Sequence, residues 1–549
     1  MKRYNVVLIL VLTMSLLAAC GGTPTTQDPV EQAEEQPTSA PSTEDAATGP
    51  TVGGTVVMNF EVEVDTLDIS KTFSSMSILD YLGASLTSLD PETREVVPYL
   101  AEDWTISDDG LTYEFTLRDD VTFHNGAPLT AEDYVWTIQR MMDPEIGSNC
   151  GYLIYSAVSE VEAVDEHTLR ITLFAPNYYF IYKTAFGSCA MPMSKAYAEE
   201  VGDEGLASNP IGVGPFRFVS WEPGIKVVME RNPDFTWGPS YTHGGPPYIE
   251  TLEIRGIVDH ATRLAAIEAG EIDLTEITYE DVERVKSIGS YQVPEFLPGS
   301  GADSVFMNVS KPPFDDIRVR QAMNLAIDRE LLIKVMFAGD AKTMREILSP
   351  PTIGYCDEAA ELGYGYDLEK AKELLAEAGY TPGADGMLEK DGEPLVLVMP
   401  VYSWVEKQAI LVQEQYKALG IQVELEQAEA SVAYDQVMGG DFDIFLSGFL
   451  NEDASLMEWM FSSNNIGAYN FSQLDDSKMD ELLTTMLTTT DLETSFRAAC
   501  DIQVYAVEQA FTVPLYVAKL STAVSNELKG VLWFRYSQYE LFDAYLETE

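Results

Sequence analysis

Apolar and polar positions follow regular periods in the second half of the chain. Residues 395–399 form a short apolar run between Pro394 and Pro400, which is typical of a buried parallel strand. Residues 405–419 then carry apolar side chains at helical spacing, and residues 421–425 alternate as a further strand. This order predicts a βαβ unit, whose first strand-to-helix loop lies at the sheet edge where open α/β folds bind ligands.

The ends of the predicted helices carry typical start and stop residues. Ser403 and Glu406 match a capping box ahead of the helix in the βαβ unit. Asp367 precedes a second helix predicted over 368–378, and Gly379 ends it.

The first half of the folded region shows strand periodicity instead. Residues 104–117 predict a hairpin that turns at Asp109-Gly110, because an Asp-Gly step favours positive φ. Thr130 precedes the apolar positions of a predicted helix and is expected to cap it.

The chain starts with a charged segment followed by an apolar one. Lys2 and Arg3 precede a mostly apolar stretch over 6–19, which is too short to span a bilayer and is typical of a secretory signal peptide. The residues around Cys20 resemble the bacterial lipobox, so Cys20 is expected to begin the mature protein and to carry a diacylglyceryl group. Two acyl chains give stable membrane anchoring. An ordinary signal peptide with an incidental cysteine is the alternative.

The segment after Cys20 has the composition of a linker. Residues 21–49 are rich in Thr, Pro, Gln, Glu, Ala and Ser and contain no aromatic side chain. Such a segment buries too little apolar surface to offset the entropy of ordering. We therefore expect a signal peptide over 1–19 and a lipidated, disordered tether over 20–52, which holds a folded body away from a membrane surface.

Composition limits the architecture and the partners of this body. The roughly 500 residues after the tether are too many for one compact core, so two or more lobes are expected. No later segment has the roughly 18 consecutive apolar residues of a transmembrane helix. The formal charge of −56 argues against nucleic acid as a partner, because a phosphate backbone is repelled by such a field. A saline habitat is one setting that suits so acidic a surface.

The chain has five cysteines. Besides Cys20, an even number remains, which permits two disulfides in three possible pairings in an exported protein. Cys150 and Cys189 are the first choice because they lie in the same N-terminal block. Cys356 and Cys500 complete the set, and none of the four has the close spacing of a zinc site, so no metal or other cofactor is expected.

A series of sequence blocks follows the tether. They include Val-Pro-Tyr-Leu-Ala-Glu-Asp-Trp at 97–104, Asn-Pro-Ile-Gly-Val-Gly-Pro-Phe at 209–216 and Pro-Phe-Asp-Asp-Ile-Arg-Val-Arg-Gln-Ala at 313–322. Together the blocks resemble those of the extracellular solute-binding proteins of ABC importers, in the peptide, oligopeptide and nickel class known as family 5. The other blocks lie at 107–113, 117–126, 129–133, 231–234, 268–273 and 366–380.

The resemblance implies an α/β fold of two lobes. This periplasmic-binding-protein-like architecture (venus-flytrap, type II or cluster C) has an extra β-rich subdomain inserted in lobe one. Ligand binding closes such lobes about the two places where the chain crosses between them, here expected near Pro298 and Pro514. The implied ranges are 53–84, 211–295 and 515–549 for lobe one, 85–210 for the inserted subdomain and 296–514 for lobe two.

Oligopeptide-binding members of this family place an acidic residue soon after a Gly-Trp pair, where it binds the α-amino group of the peptide. The corresponding sequence here is Gly-Phe-Leu-Asn-Glu-Asp at 448–453, so Glu452 is the closer counterpart and Asp453 its neighbour. A carboxylate facing an ammonium forms a strong, charge-assisted pair in a low dielectric. Phe449 replaces the tryptophan and the usual continuation is absent, so a solvated acidic loop is the alternative.

Aromatic and amide side chains supply further candidates for the cleft, since aromatic faces bind peptides and sugars alike. Each aromatic residue is equally consistent with core packing. His124 lies in a signature turn and is expected to be a hydrogen-bonded structural residue. The candidates are Tyr402, Trp404, Phe449 and Tyr469 as aromatic walls and Asn451 and Asn470 as hydrogen-bonding partners.

The resemblance implies a non-catalytic receptor that captures a peptide between its lobes and delivers it to the transmembrane permease of an ABC importer. Oligosaccharides and nickel chelates are alternative cargoes, and presentation of a ligand to a signalling partner is an alternative role. A secreted lipoprotein hydrolase is disfavoured, because the chain has neither a His-Glu-x-x-His nor a Gly-x-Ser-x-Gly motif. We expect a monomer outside the cytoplasm, in the periplasm or at the cell surface, held at the cell membrane by its lipid.

Overall fold

The computed structural model describes residues 50–549, except for residues 73, 385, 450, 536, 537, 548 and 549. The predicted signal peptide, the predicted lipidation at Cys20 and the predicted tether as far as residue 49 lie outside the described residues. Within the described ranges, no helix is long and apolar enough to cross a membrane.

The largest sheet has eight strands and brings together distant parts of the chain. Its strand Thr55–Asn59 pairs in parallel with Thr251–Arg255 on one side and with Leu274–Ile277 on the other. The strand order is Tyr291–Gln292, Leu520–Ser525, Leu274–Ile277, Thr55–Asn59, Thr251–Arg255, Lys226–Arg231 and Phe216–Glu222, with Glu295–Phe296 also paired with Leu520–Ser525.

A sheet of four strands and a separate parallel pair are formed by the part of the chain between residues 303 and 518. The strand Val396–Val401 pairs in parallel with Gln422–Gln427, and the helix Glu406–Lys417 connects the two. The predicted βαβ unit is therefore confirmed. The four-stranded sheet has the order Ala341–Thr343, Thr512–Ala518, Asp303–Met307 and Ile444–Ser447.

The inserted region has its own antiparallel sheet. Its first two strands form the predicted hairpin, and Gly110 in the turn has a φ of 68°, which confirms the Asp-Gly turn. The strand order is Ala101–Ile106, Thr112–Leu117, Thr168–Leu173 and Val158–Asp165. Smaller sheets pair Thr87–Leu89 with Val96–Pro98, Thr381–Pro382 with Leu388–Lys390 and then Glu393–Pro394, Leu528–Lys529 with Tyr545–Leu546, and Leu532–Arg535 with Gln538–Glu540.

The helices begin with several of the predicted caps. Asp367 accepts a hydrogen bond from the backbone N–H of Lys370, which confirms it as the cap of the helix that follows. Thr130 is paired with Asp133, which accepts from both the backbone N–H and the hydroxyl of Thr130. The α-helices are Met76–Leu79, Ala131–Met142, Asn149–Leu153, Phe180–Lys183, Lys195–Ser208, His260–Glu268, Val282–Ile288, Ile317–Leu325, Arg329–Phe337, Asp357–Leu362, Leu368–Glu377, Glu406–Lys417, Ala430–Met438, Leu456–Phe461, Ser477–Thr488 and Leu492–Glu508.

The capping box predicted at Ser403 is wrong. The segment Ser403–Val405 forms a 3₁₀ turn, and no side chain caps the helix Glu406–Lys417 that follows it. A tight turn at a helix start uses i to i+3 bonds to occupy backbone groups that a cap otherwise satisfies. Further 3₁₀ turns are Tyr155–Ala157, Gly187–Ala190 and Ser463–Asn465.

The described residues contain two large and separate apolar cores. The first joins the eight-stranded sheet to the inserted region and includes Met58 and Phe115, both fully buried. The second surrounds the four-stranded sheet and the βαβ unit and includes Phe306 and Met399, which are also fully buried. Each lobe therefore has its own core, since burial of apolar side chains is the main term that holds a lobe together.

The chain passes between the two cores twice. The first passage lies between Glu295–Phe296 in the large sheet and Asp303–Met307 in the four-stranded sheet. The second is at Lys519, between the strands Thr512–Ala518 and Leu520–Ser525, which belong to different sheets.

The boundary predicted at Pro514 is wrong, because this proline lies inside the strand Thr512–Ala518. Proline cannot donate a backbone hydrogen bond, and strands tolerate it where one side lacks a partner. The neighbouring strand Ala341–Thr343 pairs with residues 516–518 and does not extend to position 514. Lobe two therefore continues to Ala518.

A segment of the inserted region packs on lobe two. The backbone N–H of Tyr178 donates to the carbonyl of Leu487 at 2.7 Å. Tyr179 is fully buried and belongs to the second core rather than the first. The inserted region is therefore attached to lobe two as well as to lobe one.

Close backbone contacts fix the signature block at 209–216. A side chain at Gly212 would collide with the carbonyl of Leu82, so only glycine fits there. The Nδ1 atom of His124 accepts from the Gly212 N–H, and its Nε2 donates to the Gly214 carbonyl, each at 3.1 Å. Burial lowers the pKa of His124 to about 4, so the ring is neutral and its predicted structural role is confirmed.

Candidate functional site

A cavity of about 540 Å³ lies between the inserted region and lobe two. Tyr152, Phe174 and Lys183 line it from the inserted region. Glu458 and Trp459 line it from lobe two. Cavities of about 300–1,000 Å³ hold small organic ligands in proteins, so this one is of a suitable size.

Two opposite charges border this cavity from its two sides. Lys183 ends the helix Phe180–Lys183, and Glu458 lies in the helix Leu456–Phe461. Both side chains are half-buried, and in the described part of the chain neither charged group has a hydrogen-bond or ion-pair partner. Burial raises the pKa of Glu458, and the charge of Lys183 opposes that shift. Half-buried charges without partners are costly, and a ligand that carries opposite charges offsets that cost.

Aromatic rings continue from the cavity into lobe two. Trp459 borders the cavity and contacts Tyr469, with ring centroids 6.2 Å apart. Tyr469 also contacts Tyr152 at 6.4 Å and Phe449 at 6.3 Å. Phe449 is buried and stacks on Phe471 at 5.4 Å. Of these two predicted aromatic candidates, Tyr469 lies beside the cavity, whereas Phe449 packs behind it.

Glu452, the residue expected to bind an ammonium group, has a cationic partner within the protein. Its Oε2 lies 2.6 Å from an Nη of Arg94, which is on the turn between Thr87–Leu89 and Val96–Pro98. The two side chains are only 16% and 26% exposed, so the pair is partly shielded from salt and water. Glu452 is thus not a solvated loop residue, and a ligand ammonium group would share its carboxylate with Arg94.

The neighbours of Glu452 serve the local backbone. Asp453 is 5% exposed, and its carboxylate accepts a hydrogen bond from the N–H of Ser455 at 2.8 Å. Burial raises the pKa of Asp453, while the bonds from Ser455 and the charge of Lys183 act in the opposite direction. The amide of Asn451 donates to the Ser455 hydroxyl at 3.3 Å. Both predicted candidates therefore stabilise this loop.

Asn470 is fully buried and holds together a loop of lobe two. Its amide donates to the carbonyls of Ser462 at 3.0 Å and Leu474 at 2.9 Å, and its Oδ1 accepts from the Leu474 N–H at 3.1 Å. The expectation that Asn470 contacts ligand is therefore wrong, because its polar atoms are engaged inside the core. Asn464 and Asn465 line the cavity instead.

Tyr402 and Trp404 follow the strand Val396–Val401 and differ in exposure. Tyr402 is 5% exposed, and its hydroxyl lies 3.3 Å from the hydroxyl of Tyr434. Its ring also packs 6.1 Å from that of Phe445. Trp404 is 83% exposed. Tyr402 is therefore part of the core of lobe two, while Trp404 is accessible at the loop where the sequence predicts ligand binding.

A second cavity, of about 350 Å³, lies in lobe one. It is at the carboxyl ends of two parallel strands, the sheet edge where α/β folds bind ligands. Asn59, Glu61, Glu276 and Tyr539 are among its lining residues. Its described lining includes acids but neither lysine nor arginine, and Glu61 pairs with Arg263 at 2.7 Å. This cavity therefore lacks the combination of opposite charges found in the larger one.

Two disulfides join the four cysteines of the described residues. Cys150 is bonded to Cys189 within the inserted region, and Cys356 is bonded to Cys500 within lobe two. Glu358 lies close enough to the second pair for a shared metal ion. The two sulfurs are joined to each other and are not free as thiolates, so this grouping is not a metal site in the oxidised protein.

Sequence reasoning did not identify the residues that meet at the larger cavity. Lys183 and Glu458 are distant in the chain and match no motif, and they meet because Tyr178 and Tyr179 dock on lobe two. The usable signal is compositional. With 33 basic against 89 acidic side chains, a half-buried lysine without an acidic partner is noticeable once the fold is known.

Comparisons with known proteins agree with this architecture. The family model described as "Bacterial extracellular solute-binding proteins, family 5 Middle" matches residues 95–468. The glutathione-binding protein GsiB of Shigella dysenteriae is 30% identical over 485 residues, which cover 85% of this chain and 89% of the relative. The heme-binding protein A of Haemophilus influenzae is 29% identical over 468 residues, which cover 80% and 82%.

A solved structure extends the similarity to the fold. The ABC transporter-associated periplasmic binding protein DppA from Helicobacter pylori, in complex with peptide STSA, superimposes with a TM-score of 0.71 at 26% identity and covers 91% of this chain and 99% of its own. The predicted two-lobed α/β fold is thereby confirmed, and the relatives are binding proteins of transporters that act outside the cytoplasm. The family match spans more than half of the chain. This chain belongs to family 5 of the bacterial extracellular solute-binding proteins.

Proposed function

We propose that this substrate-binding protein captures a short peptide in the cavity between the inserted subdomain and lobe two and delivers it, chemically unchanged, to the permease of an ABC importer. The observation that carries the proposal is the lining of the cavity. In about 540 Å³ it combines opposite charges, aromatic rings and amide side chains. A peptide offers the complementary groups, namely charged ends, side-chain surface and backbone amides.

The relatives support this cargo. One solved structure of similar fold holds the peptide STSA, and one curated relative is named for glutathione, which is itself a small peptide-like solute. Another curated relative is named for heme, so the shared fold by itself does not select the ligand. The choice of peptide therefore rests on the cavity of this chain.

The proposal includes how the receptor works and where it is held. Two separate cores joined by two crossings of the chain support closure of the lobes around cargo. We place lobe one in 53–84, 211–295 and the segment after Lys519, and the inserted subdomain in 85–210. Acylated Cys20 and the tether would hold this body outside the cytoplasm near the permease. Mass spectrometry of the natively exported protein tests the lipid, and an unmodified Cys20 would contradict it.

A binding and turnover assay tests the cargo. The exported protein is mixed with a randomised tripeptide library, with malto-oligosaccharides or with a nickel–histidine chelate. We expect peptides alone to raise the melting temperature, because a ligand that binds only the folded state stabilises it. Chromatography with mass spectrometry should recover those peptides intact. A shift with sugar or nickel and none with peptides would overturn the proposed cargo, and hydrolysed peptides would overturn the receptor.

A further inference from the structure

The larger cavity is lined by the cation Lys183 and by two acids, Glu458 and Asp480. Lys183 belongs to the inserted region and Glu458 to lobe two, and both border the same space. Lys183 influences the pKa of Glu458 and that of Asp453, but it forms an ion pair with neither within the described residues. Lys183 and Glu458 therefore border one space without forming an ion pair with each other.

Other acids near the cavity are already engaged. Glu452 is paired with Arg94 at 2.6 Å, and Asp453 accepts from the Ser455 N–H at 2.8 Å. Asp480, which also lines the cavity, accepts from the backbone N–H and the hydroxyl of Ser463 at 2.9 and 2.6 Å. Glu458 is thus the lining carboxylate that the described residues leave without a donor.

A ligand that supplies the missing partners gains charge-assisted hydrogen bonds in a partly desolvated site. Burial raises the pKa of Glu458, which reflects the cost of holding that charge without a partner. An ammonium group removes this cost at Glu458, and a carboxylate does the same at Lys183. Trp459 and Tyr152 also line the cavity and offer aromatic surface to the part of the ligand between its charges.

We infer that the cavity selects a dipolar solute, whose ammonium group binds Glu458 and whose carboxylate binds Lys183, so that the preferred cargo is a short peptide with both ends free. This inference rests on the proposed function and makes it specific. It assigns recognition of the amino end to Glu458 instead of Glu452, and it makes Lys183 the residue that reads the carboxyl end.

The test crosses ligand charge with protein charge. A randomised tripeptide library is prepared with free ends, with the amino end acetylated, or with the carboxyl end amidated, and dissociation constants are measured for the full mature chain by calorimetry. For the wild type, each cap should weaken binding by about 10- to 100-fold, which is the range for hydrogen bonds to charged groups. Glu458→Gln should weaken the free library to the level of the acetylated one, and acetylation should then cost nothing further.

Lys183→Met should weaken binding of the free library to the level of the amidated one. Acetylation of the amino end should still weaken binding to this variant. Glu452→Gln is the matched control, and both cap penalties should survive in it. Melting temperatures without ligand verify that each variant is folded. The inference is overturned, while the proposed function stands, if the wild type binds uncapped and capped peptides with equal affinity. It is also overturned if Glu452→Gln binds free and acetylated peptides equally. If the wild type retains no peptide in any form, the proposed function itself fails.

Discussion

The loop at 451–453 and the adjoining helix Leu456–Phe461 each carry a glutamate near the inserted region. Among the described residues, only one of these two carboxylates has an ion-pair partner. Glu452 in the loop reaches Arg94 and forms a partly shielded ion pair. Glu458 in the helix borders the cavity and has no such partner in the described residues. In the proposed site, the availability of the carboxylate, more than its position after a Gly-aromatic pair, determines which acid binds the ligand.

The same contrast separates the other side chains of this region. Asn470 and Asp453 direct their polar atoms to backbone groups of their own loops, whereas Lys183 and Asn464 border the cavity. Residues of the first kind stabilise the free protein. In the proposed site, residues of the second kind bind the ligand, and their polar groups, unpaired among the described residues, cost some stability in the free protein.

The largest effect is expected from Lys183→Glu, which places a second acid opposite Glu458. We predict that peptide affinity falls by at least about 100-fold, because a ligand carboxylate then meets a like charge in a partly desolvated site. Lys195→Glu changes the net charge equally on an exposed helix of the inserted region, and it should leave affinity within about twofold since surface charges are screened. Calorimetry with an unblocked peptide compares them, and equal losses in both variants would contradict the assignment.

Asn470→Ala should cause the largest loss of stability. It removes three hydrogen bonds inside the core, and we expect a decrease of about 2–3 kcal/mol in the free energy of unfolding. Peptide affinity should be unchanged. Asn464→Ala is the matched variant at the cavity, where stability should change by less than about 0.5 kcal/mol and affinity should fall. Denaturant unfolding and calorimetry of both variants check this, and the reverse pattern would invalidate the contrast.

The two glutamates should differ in the sign of their effect on stability. Glu452→Gln is expected to lower the free energy of unfolding by about 1 kcal/mol, because it breaks a partly buried ion pair. A double-mutant cycle with Arg94→Gln should recover a coupling of similar size. Glu458→Gln should instead stabilise the unliganded protein at neutral pH, because it removes a half-buried charge without a partner. A coupling between Arg94 and Glu458 as large as that with Glu452 would argue against separate roles.

The smallest effect concerns pH. Burial raises the folded-state pKa of Glu458 above its unfolded value, so its contribution to stability is complete at pH below the unfolded pKa and is lost as pH rises through the folded one. Ligand binding has the opposite sign, because an ammonium group requires the ionised carboxylate. Preference for free over acetylated peptides should therefore fall as pH decreases through this pKa, which lies above that of an ordinary glutamate.

That preference should be absent at every pH in Glu458→Gln. Lys183 and Asp480 face the same cavity and are retained in this variant, so they control for other charges there. His124 affects stability alone: burial lowers its pKa to about 4, so its contribution is present above the unfolded pKa and is lost as pH falls. Affinity ratios measured from neutral to acidic pH separate the two effects, and a ratio independent of pH in the wild type would contradict the role of Glu458.

Local structure and family could be predicted from the sequence. The hairpin at 104–117, the cap at Asp367 and the βαβ unit follow from periodicity and from short-range backbone chemistry, which the chain carries within a few residues. The crossing that the resemblance implies near Pro514 lies at Lys519 instead, because the strand Thr512–Ala518 stays paired within the four-stranded sheet over its whole length. Which sheet a strand pairs with is a tertiary property.

The candidate site could not be predicted in the same way. The sequence points to Glu452 through its position after Gly448-Phe449, but the partner Arg94 is supplied by a turn of another subdomain. Lys183 and Glu458 meet only after the inserted region packs on lobe two. Neither event leaves a periodic or spaced signal in the chain, since each depends on the docking of two separately folded regions.

A crystal structure of the protein with a bound, unblocked peptide would test directly whether Glu458 and Lys183 bind the two ends of the cargo. We predict that the peptide lies between the inserted subdomain and lobe two, with its ammonium group within hydrogen-bonding distance of the Glu458 carboxylate and its carboxylate at the Lys183 ammonium, while Arg94 stays paired with Glu452. A peptide whose ammonium group displaces Arg94 from Glu452, or one bound in the lobe-one cavity beside Asn59 and Glu276, would contradict these two assignments.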